Sequence, residues 1–284
     1  MIADKNVEQI CREELEILQL ERLKKIVAWS YEKSNFYRQS FQNYGVLPED
    51  IQSLSDVSKL PILTRDELHT INAFEFLTLP LSSVVRVTQL GQIKKFYTKA
   101  DIRNNVEMII RCLIAANVFR GSIIGLVGDL IDSRFLDVIY ALESIGTTNL
   151  YLGKNYQPAK NFTVETIITT SEIVTPVDET VSKIICINET SLTKDISQRN
   201  SAKIFNLFAP PEIGHAGMIY QCSEEPFYHV QEDNFLIEIL DGELVITTLT
   251  AQALPLIRYR TGQMVKRINA PCKCGRTFIT IAAT

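Results

Sequence analysis

Apolar residues recur at helical spacing near the start of the chain and give way to strand-like runs further on. Between residues 7 and 34, Leu20, Leu23, Ile26, Val27 and Tyr31 fall on one stripe with charged residues between them, which predicts an amphipathic helix. The following stretch, SNFYRQSFQNYGVLPEDIQSLSDVSKLPILTRDELHT, alternates short helical patterns with Pro and Gly stops, and Thr64 with Glu67 three residues on reads as a capping box. Val84, Val85 and Val87 predict a strand, residues 89–92 a turn and residues 93–97 a returning strand, before a helix from Lys99 to about residue 118. SIIGLVG, DSRFLDVIYALESIG and TTNLYLG then read as strand, helix and strand, a βαβ unit within residues 121–153. Such a unit implies a parallel sheet with helices on its faces. ETIITTSEIV and KIICINE continue that sheet. The expectation is an α/β protein with a mostly parallel sheet, a helical and α/β portion at residues 1–205, and a smaller β-rich portion at 206–284.

Bulk properties narrow the function classes. A chain of 284 residues can bury a sizeable core as one large or two small domains. With net charge −4 and dispersed basic residues, neither nucleic acid nor anionic lipid is an expected partner. The N-terminus, MIADKNVEQI, has no apolar signal core. The most apolar span, residues 108–128, is interrupted by Arg111, Asn117 and Arg120. An arginine at the centre of a membrane helix costs ~3 kcal/mol, so this span reads as buried helix and strand. Six cysteines without a secretion signal predict thiols in a reducing cytoplasm and no disulfide framework.

Chemistry concentrates in residues 206–277. Cys222 and His229 form a C-x6-H pair, and Cys272 and Cys274 a C-x-C followed by Gly275. Zinc takes four soft or borderline ligands as closely spaced pairs delivered by turns, so these four residues are a candidate Zn2+ site. With four protein ligands and no open position for water, its role would be structural. Four unrelated residues, buried thiols and a core histidine, would give the same spacing. In the same stretch Glu212 and His215 lie three apart in a glycine-rich turn, an acid and a base within reach of one chemistry, although a turn histidine bonded to backbone has the same pattern. Gly125 and Gly128 make only a G-x-x-G, too little for a dinucleotide fingerprint.

GELVITTLTAQALPLIRYRTGQ followed by CKCGRT closely resembles the end of the large domain in phenylacetate–CoA ligases, as do the opening helix, SNFYR and LPILTRDEL over roughly residues 14–70. These are AMP-forming adenylating enzymes, which activate a carboxylate as an acyl-adenylate and pass it to CoA. The resemblance implies the adenylating-enzyme large-domain fold, ATP with Mg2+ and CoA as cofactors, a small carboxylate or acyl-CoA as ligand, a homodimer, and zinc on the Cys, His and C-x-C set. It also implies nucleotide roles for Glu189 in the adenine-pocket segment, Phe208 (or Leu207, depending on the gap) and Glu212 in NLFAPPEIGHAG, and Arg260 and Gln263 in RYRTGQ.

The chain departs from that pattern where nucleotide is gripped. Between VRV and YTKADI the family carries a Ser/Thr/Gly-rich loop that cradles phosphates; here the segment is shorter and keeps only Thr88 and Gly91, with Lys94 and Lys95 nearby. Gln263 stands where the family has an Asp that accepts both ribose hydroxyls, and an amide offers one acceptor and one donor group instead. The family's small C-terminal domain with its lysine is expected to be absent. Adenylyl transfer depends on positioned electrostatics, and each loss costs ~10²-fold or more. The expectation is therefore a ligase-like protein that has lost ATP-dependent adenylation and keeps a pocket for an acyl group, CoA or a partner protein. Two alternatives are an enzyme of ATP-independent chemistry using Glu212 and His215, and the large-domain half of a split ligase whose partner supplies the lysine.

Overall fold

The computed structural model of the protein describes residues 1–90, 92–129, 133–153, 161–170, 179–188 and 202–284. The expected roles of Glu189 and Gly91 fall outside these residues. The helices are α1 (Lys5–Glu8), α2 (Arg12–Lys33), α3 (Asn35–Tyr44), α4 (Arg65–Thr70), α5 (Lys99–Ala115) and α6 (Ser133–Ile145). The strands are β1 (Arg86–Leu90), β2 (Ile93–Tyr97), β3 (Ile123–Val127), β4 (Thr148–Tyr151), β5 (Thr166–Thr169), β6 (Lys183–Asn188), β7 (Lys203–Phe208), β8 (Ile219–Gln221), β9 (Tyr228–Val230), β10 (Phe235–Leu240), β11 (Glu243–Thr248), β12 (Tyr259–Ile268) and β13 (Thr280–Ala283).

The expected α/β architecture is present. Among the described residues one sheet runs β10-β11-β12-β13-β9-β8-β7-β6-β5-β3-β4, and β1 with β2 forms a separate hairpin. From β4 to β7 all neighbours are parallel, and from β7 to β10 all are antiparallel. The βαβ unit is β3-α6-β4, with Ile123 opposite Thr148 in parallel register. Strands of a parallel block are buried on both faces, which is why IIGLV, TIIT and KIICIN carry adjacent apolar residues at their centres instead of an alternating pattern. Ile109, Cys112 and Leu113 of α5 and Phe135, Val138 and Leu142 of α6 close over Ile124, Leu126, Ile168 and Ile185 of that block. A second core lies beneath α2 and α3, where Leu23, Ile26, Val27, Tyr37 and Phe41 meet Phe235, Leu244, Ile246 and Tyr259 of the antiparallel part.

The first helix differs from the pattern-based expectation. It breaks between Glu8 and Arg12 because Glu8 is drawn down to the end of the chain. Its Oε1 accepts from Arg276 Nε at 2.6 Å, with both side chains essentially unexposed, and its carbonyl accepts from the Thr277 amide. The buried stripe of α2 is Leu15, Gln19, Leu23, Ile26, Val27 and Ser30, while Leu20 and Tyr31 are half-buried. Gln19 belongs to that stripe because its Nε2 donates to the Glu232 carbonyl at 2.8 Å, satisfying a buried amide. The apolar span 108–128 is the second half of α5 and β3, as expected, and Arg111 within it donates to Asp233 Oδ1 at 3.0 Å. No helix among the described residues is long and apolar enough to cross a membrane.

Candidate functional site

Three pieces of chain meet around Glu212. The first is α4. Leu63 is clipped to β12, its amide donating to the Arg258 carbonyl and its carbonyl accepting from the Arg260 amide, both at 3.0 Å. Helix α4 begins immediately afterwards, and the expected capping box is formed: the Thr64 amide donates to Glu67 Oε2 at 2.9 Å. Residues four apart share a helix face, so Arg65 and His69 point the same way. The second piece is the turn after β7, where the Ile213 amide donates to the Pro210 carbonyl at 2.9 Å. Gly214 in that turn has φ +79°, and a Cβ there would lie 2.2 Å from the Tyr97 hydroxyl. Only glycine lets the turn pack against the hairpin so closely, with Tyr97 Oη donating to the Gly214 carbonyl at 2.6 Å. The third piece is the β1–β2 hairpin itself.

The Glu212 side chain is 1% exposed. Its Oε1 accepts from Arg65 Nε at 2.9 Å and from His69, protonated at Nε2, at 3.2 Å. Burial, and next the Glu212 carboxylate, push the Tyr259 phenol well above its ordinary range. His215 follows two residues after the buried Ile213. Its Nδ1 accepts the Gly217 amide at 3.0 Å, and burial followed by the charge of Lys95 brings it down to about 3, so the ring is neutral at pH 7. Lys95 itself is 7% exposed. Burial draws its amine down to about 8 against the opposing fields of Asp101 and Glu212. A cavity of about 220 Å3 opens beside these groups, its lining mostly polar, with His69, Asn72, Lys94, Lys95 and Glu212 among the polar residues and Leu68 and Ile71 among the apolar ones. A smaller space of about 40 Å3 lies across Lys95, against Asp101, Asn105 and His215.

The remaining nucleotide candidates are engaged within the fold. Phe208 ends β7 fully buried in the core. Arg260 Nε donates to Glu243 Oε2 at 2.8 Å, and the other oxygen of that carboxylate takes the Gly262 amide. The backbone N–H of Gln263 donates to Thr261 Oγ1 at 3.1 Å. In the hairpin, Thr88 faces Lys95 and Leu90 faces Ile93, so only Gly91 and Gln92 join the two strands.

The four candidate metal ligands come together. Cys222 follows β8, His229 lies in β9, and Cys272 and Cys274 stand between β12 and β13. Their ligand atoms all lie within 4.8 Å of one another, with Cys222 Sγ 3.5 Å from Cys272 Sγ and Cys274 Sγ 3.4 Å from His229 Nε2. These separations suit a tetrahedral ion of zinc size, whose bonds to sulfur and nitrogen are about 2.0–2.3 Å. Backbone amides support the sulfurs, those of Glu224 and Glu225 at Cys222 and that of Arg276 at Cys274. At φ +80°, Gly275 turns the chain so that the next amide reaches the Cys274 thiol. All three cysteines are free thiols in a donor set that fits the ion.

Sequence reasoning missed Arg65, His69 and Asp101, and noted Lys95 only as a charge beside the shortened segment. The i, i+4 spacing of Arg65 and His69 beside the capping box was the available signal for the first two. For Lys95 it was the alternation of β2, which places it on one face with Ile93 and Tyr97.

No family model matches the sequence. The phenylacetate-coenzyme A ligase of Thermus thermophilus is 29% identical over 318 aligned positions, covering 98% of this chain and 72% of that protein. That of Aromatoleum evansii is 29% identical, covering 97% and 71%, and that of Escherichia coli K12 27%, covering 97% and 72%. The first alignment is longer than the 284-residue chain, so that relative carries segments this one lacks. Among solved structures, an open conformation of 2-hydroxyisobutyryl-CoA ligase in complex with 2-HIB-AMP and CoA superposes with TM-score 0.83 at 15% identity, over 97% of this chain and 71% of that one. This likeness establishes the fold.

Proposed function

From a chain that is a phenylacetate–CoA-ligase-like member of the acyl-CoA ligase family, we propose a protein that no longer adenylates its ligand and instead binds a small carboxylate or its acyl-CoA derivative. The observation that carries this reading is the hairpin. Phosphate cradles converge several backbone amides and hydroxyls on the anion, and a connection of two residues between Leu90 and Ile93 leaves no loop to do so. The state of Glu212 supports it further. A carboxylate that should meet a hydrated cation is buried, and it is already paired with Arg65 and hydrogen-bonded by His69.

We do not assign acid–base catalysis to Glu212 and His215. The carboxylate is committed to Arg65, and His215 holds the Gly217 amide as a neutral ring, which describes a structural turn. At the other site, Cys222, His229, Cys272 and Cys274 would hold a zinc ion. When bound, the ion supplies a crosslink between the β8–β9 turn and the segment before β13, and it has no open position for chemistry.

The test is a thermal-shift panel of CoA, acyl-CoA thioesters, aryl acids and MgATP. Stabilisation by thioesters or acids without stabilisation by MgATP is expected. A shift with MgATP alone contradicts the proposal.

A further inference from the structure

Residues 1–10 are held to the protein through one short stretch of chain. Gln9 Nε2 donates to the Gly275 carbonyl at 3.1 Å, and Arg276 donates to Glu8 Oε1 and to the Met1 carbonyl, both at 2.6 Å. The Thr277 amide donates to the Glu8 carbonyl at 3.0 Å, and its hydroxyl to the Ile10 carbonyl at 2.7 Å. Among the described residues, the remaining hydrogen bonds of residues 1–9 stay within their own segment, as those of the Ala3, Asp4 and Asn6 amides do. The polar attachment of this segment therefore runs through Gly275, Arg276 and Thr277, which directly follow the candidate ligand Cys274.

The same stretch touches the metal cluster on its other side. The Arg276 guanidinium hydrogen-bonds the Cys274 sulfur, which the Arg276 amide also supports. Its central carbon lies 5.8 Å from the centre of the Tyr220 ring, and that ring stacks on His229 at 5.5 Å. One side chain, 1% exposed, thus joins Glu8 to two of the four candidate ligands, to Cys274 directly and to His229 through a ring. A metal-bound thiolate is an anion, so an arginine set between it and a carboxylate makes charge-assisted bonds to both. Little else orders this stretch from within. Residues 269–279 carry no helix or strand, and the Gly275 amide closes back on the Cys272 carbonyl at 3.2 Å. Lys273 pairs with Glu225 at 3.2 Å on the surface, where ion pairs hold weakly.

We infer that the metal cluster and residues 1–10 form a coupled clasp: with an ion on Cys222, His229, Cys272 and Cys274, Arg276 is placed to hold the N-terminal segment, and without it the segment is released. This rests on the reading that the four ligands hold zinc. The coupling runs both ways, because whatever the ion adds to docking of the segment, docking adds to affinity for the ion. Arg276 is a positioning residue that acts through Cys274, and removing a group that orients a metal ligand weakens metal binding by about 10- to 100-fold. The core under α2 and α3 contains neither the cluster nor residues 1–10, so release of the segment leaves it folded.

Hydrogen exchange read by mass spectrometry tests the clasp on the full chain, loaded with Zn2+, stripped by a chelator and reloaded. Residues 1–10 are expected to lose protection on stripping, together with β8, β9 and β13, and to regain it on reloading, while β10 and β11 stay protected throughout. Release of Zn2+ to a chromophoric chelator reads the reverse coupling. Glu8→Gln and Arg276→Met are expected to release the ion about tenfold faster than wild type. Lys273→Met, which removes a surface charge from the same stretch, should release it at the wild-type rate. Circular dichroism confirms that each variant is folded, and Glu8→Gln decides the outcome where Arg276→Met is not. Equal protection of residues 1–10 in stripped and loaded protein, or wild-type release from folded Glu8→Gln, overturns the clasp and leaves the zinc site standing. A chain that takes up neither Zn2+ nor Co2+, the latter read by its tetrahedral absorption, overturns the zinc reading and the clasp together.

Discussion

Arg65 and Glu212 stand 147 positions apart in sequence and are joined at 2.9 Å, the guanidinium half-exposed at the mouth of the site and the carboxylate buried beneath it. The pair fastens α4 to the turn after β7, and it occupies a carboxylate that family resemblance assigns to magnesium and adenylate. An exposed ion pair is worth about 0–1 kcal/mol, whereas breaking a fully buried one costs about 3–5. Since Arg65 is in contact with solvent, Arg65→Gln is expected to cost about 1–2 kcal/mol in urea denaturation, between these limits. Glu212→Gln, which removes the buried charge itself, should cost less than Arg65→Gln. A larger loss for Glu212→Gln would mean that the carboxylate does more than answer Arg65.

The other long-range pair, Glu8 with Arg276, is enclosed on both sides. Glu8 also accepts the amides of Ala3 and Asp4, so the first residues are folded onto this carboxylate. Arg276→Met leaves it without its cation, and a loss of about 3–5 kcal/mol is expected, with the N-terminal residues becoming protease-sensitive before the rest. An effect below 1 kcal/mol would show that the pair is dispensable.

His215 gives an acid limb to stability. Its pKa is lowered on folding, from about 6.5 to about 3, so the unfolded state binds more protons between those values. Stability from this group is present above pH 6.5 and is lost as pH falls toward 3, with a slope approaching about 1.4 kcal/mol per pH unit. His215→Asn, which keeps an acceptor for the Gly217 amide, should flatten that limb in guanidinium melts taken from pH 7 to 4. An unaltered slope would place the acid sensitivity elsewhere.

Metal removal should act locally and then globally. If the Cys222, His229, Cys272 and Cys274 cluster holds zinc, one equivalent of metal is expected in the purified protein. Chelation should lower the melting temperature and raise hydrogen exchange first in β8, β9 and β13, because at such sites binding free energy is folding free energy. Cys274→Ser should reproduce the chelated state. A melt unchanged by chelation would argue against the ion.

Much of this arrangement was legible in the sequence, and the reason differs from part to part. The βαβ unit and the buried parallel strands showed themselves because a two-faced strand must be apolar throughout, as in IIGLV and KIICIN. The capping box at Thr64 and Glu67 is local chemistry and needed nothing beyond its own turn. The gathering of the four candidate ligands Cys222, His229, Cys272 and Cys274 was foreseeable from residue types, though their separation was not. What could not be read was tertiary. The break before α2 depends on Arg276 at the far end of the chain, and the buried Gln19 depends on the Glu232 carbonyl. The burial of Lys95 near Asp101 and Glu212, whose carboxylates are already committed to other partners, is likewise a tertiary fact that no spacing records.

The most direct test is a calorimetric titration of the purified chain with MgATP. The hairpin closed at Leu90 and Ile93, together with the committed Glu212, predicts no saturable heat up to millimolar nucleotide, with identical traces for wild type and for Thr88→Ala. Saturable micromolar binding that is lost in Thr88→Ala would contradict the account, because it would mean that the shortened turn still grips triphosphate.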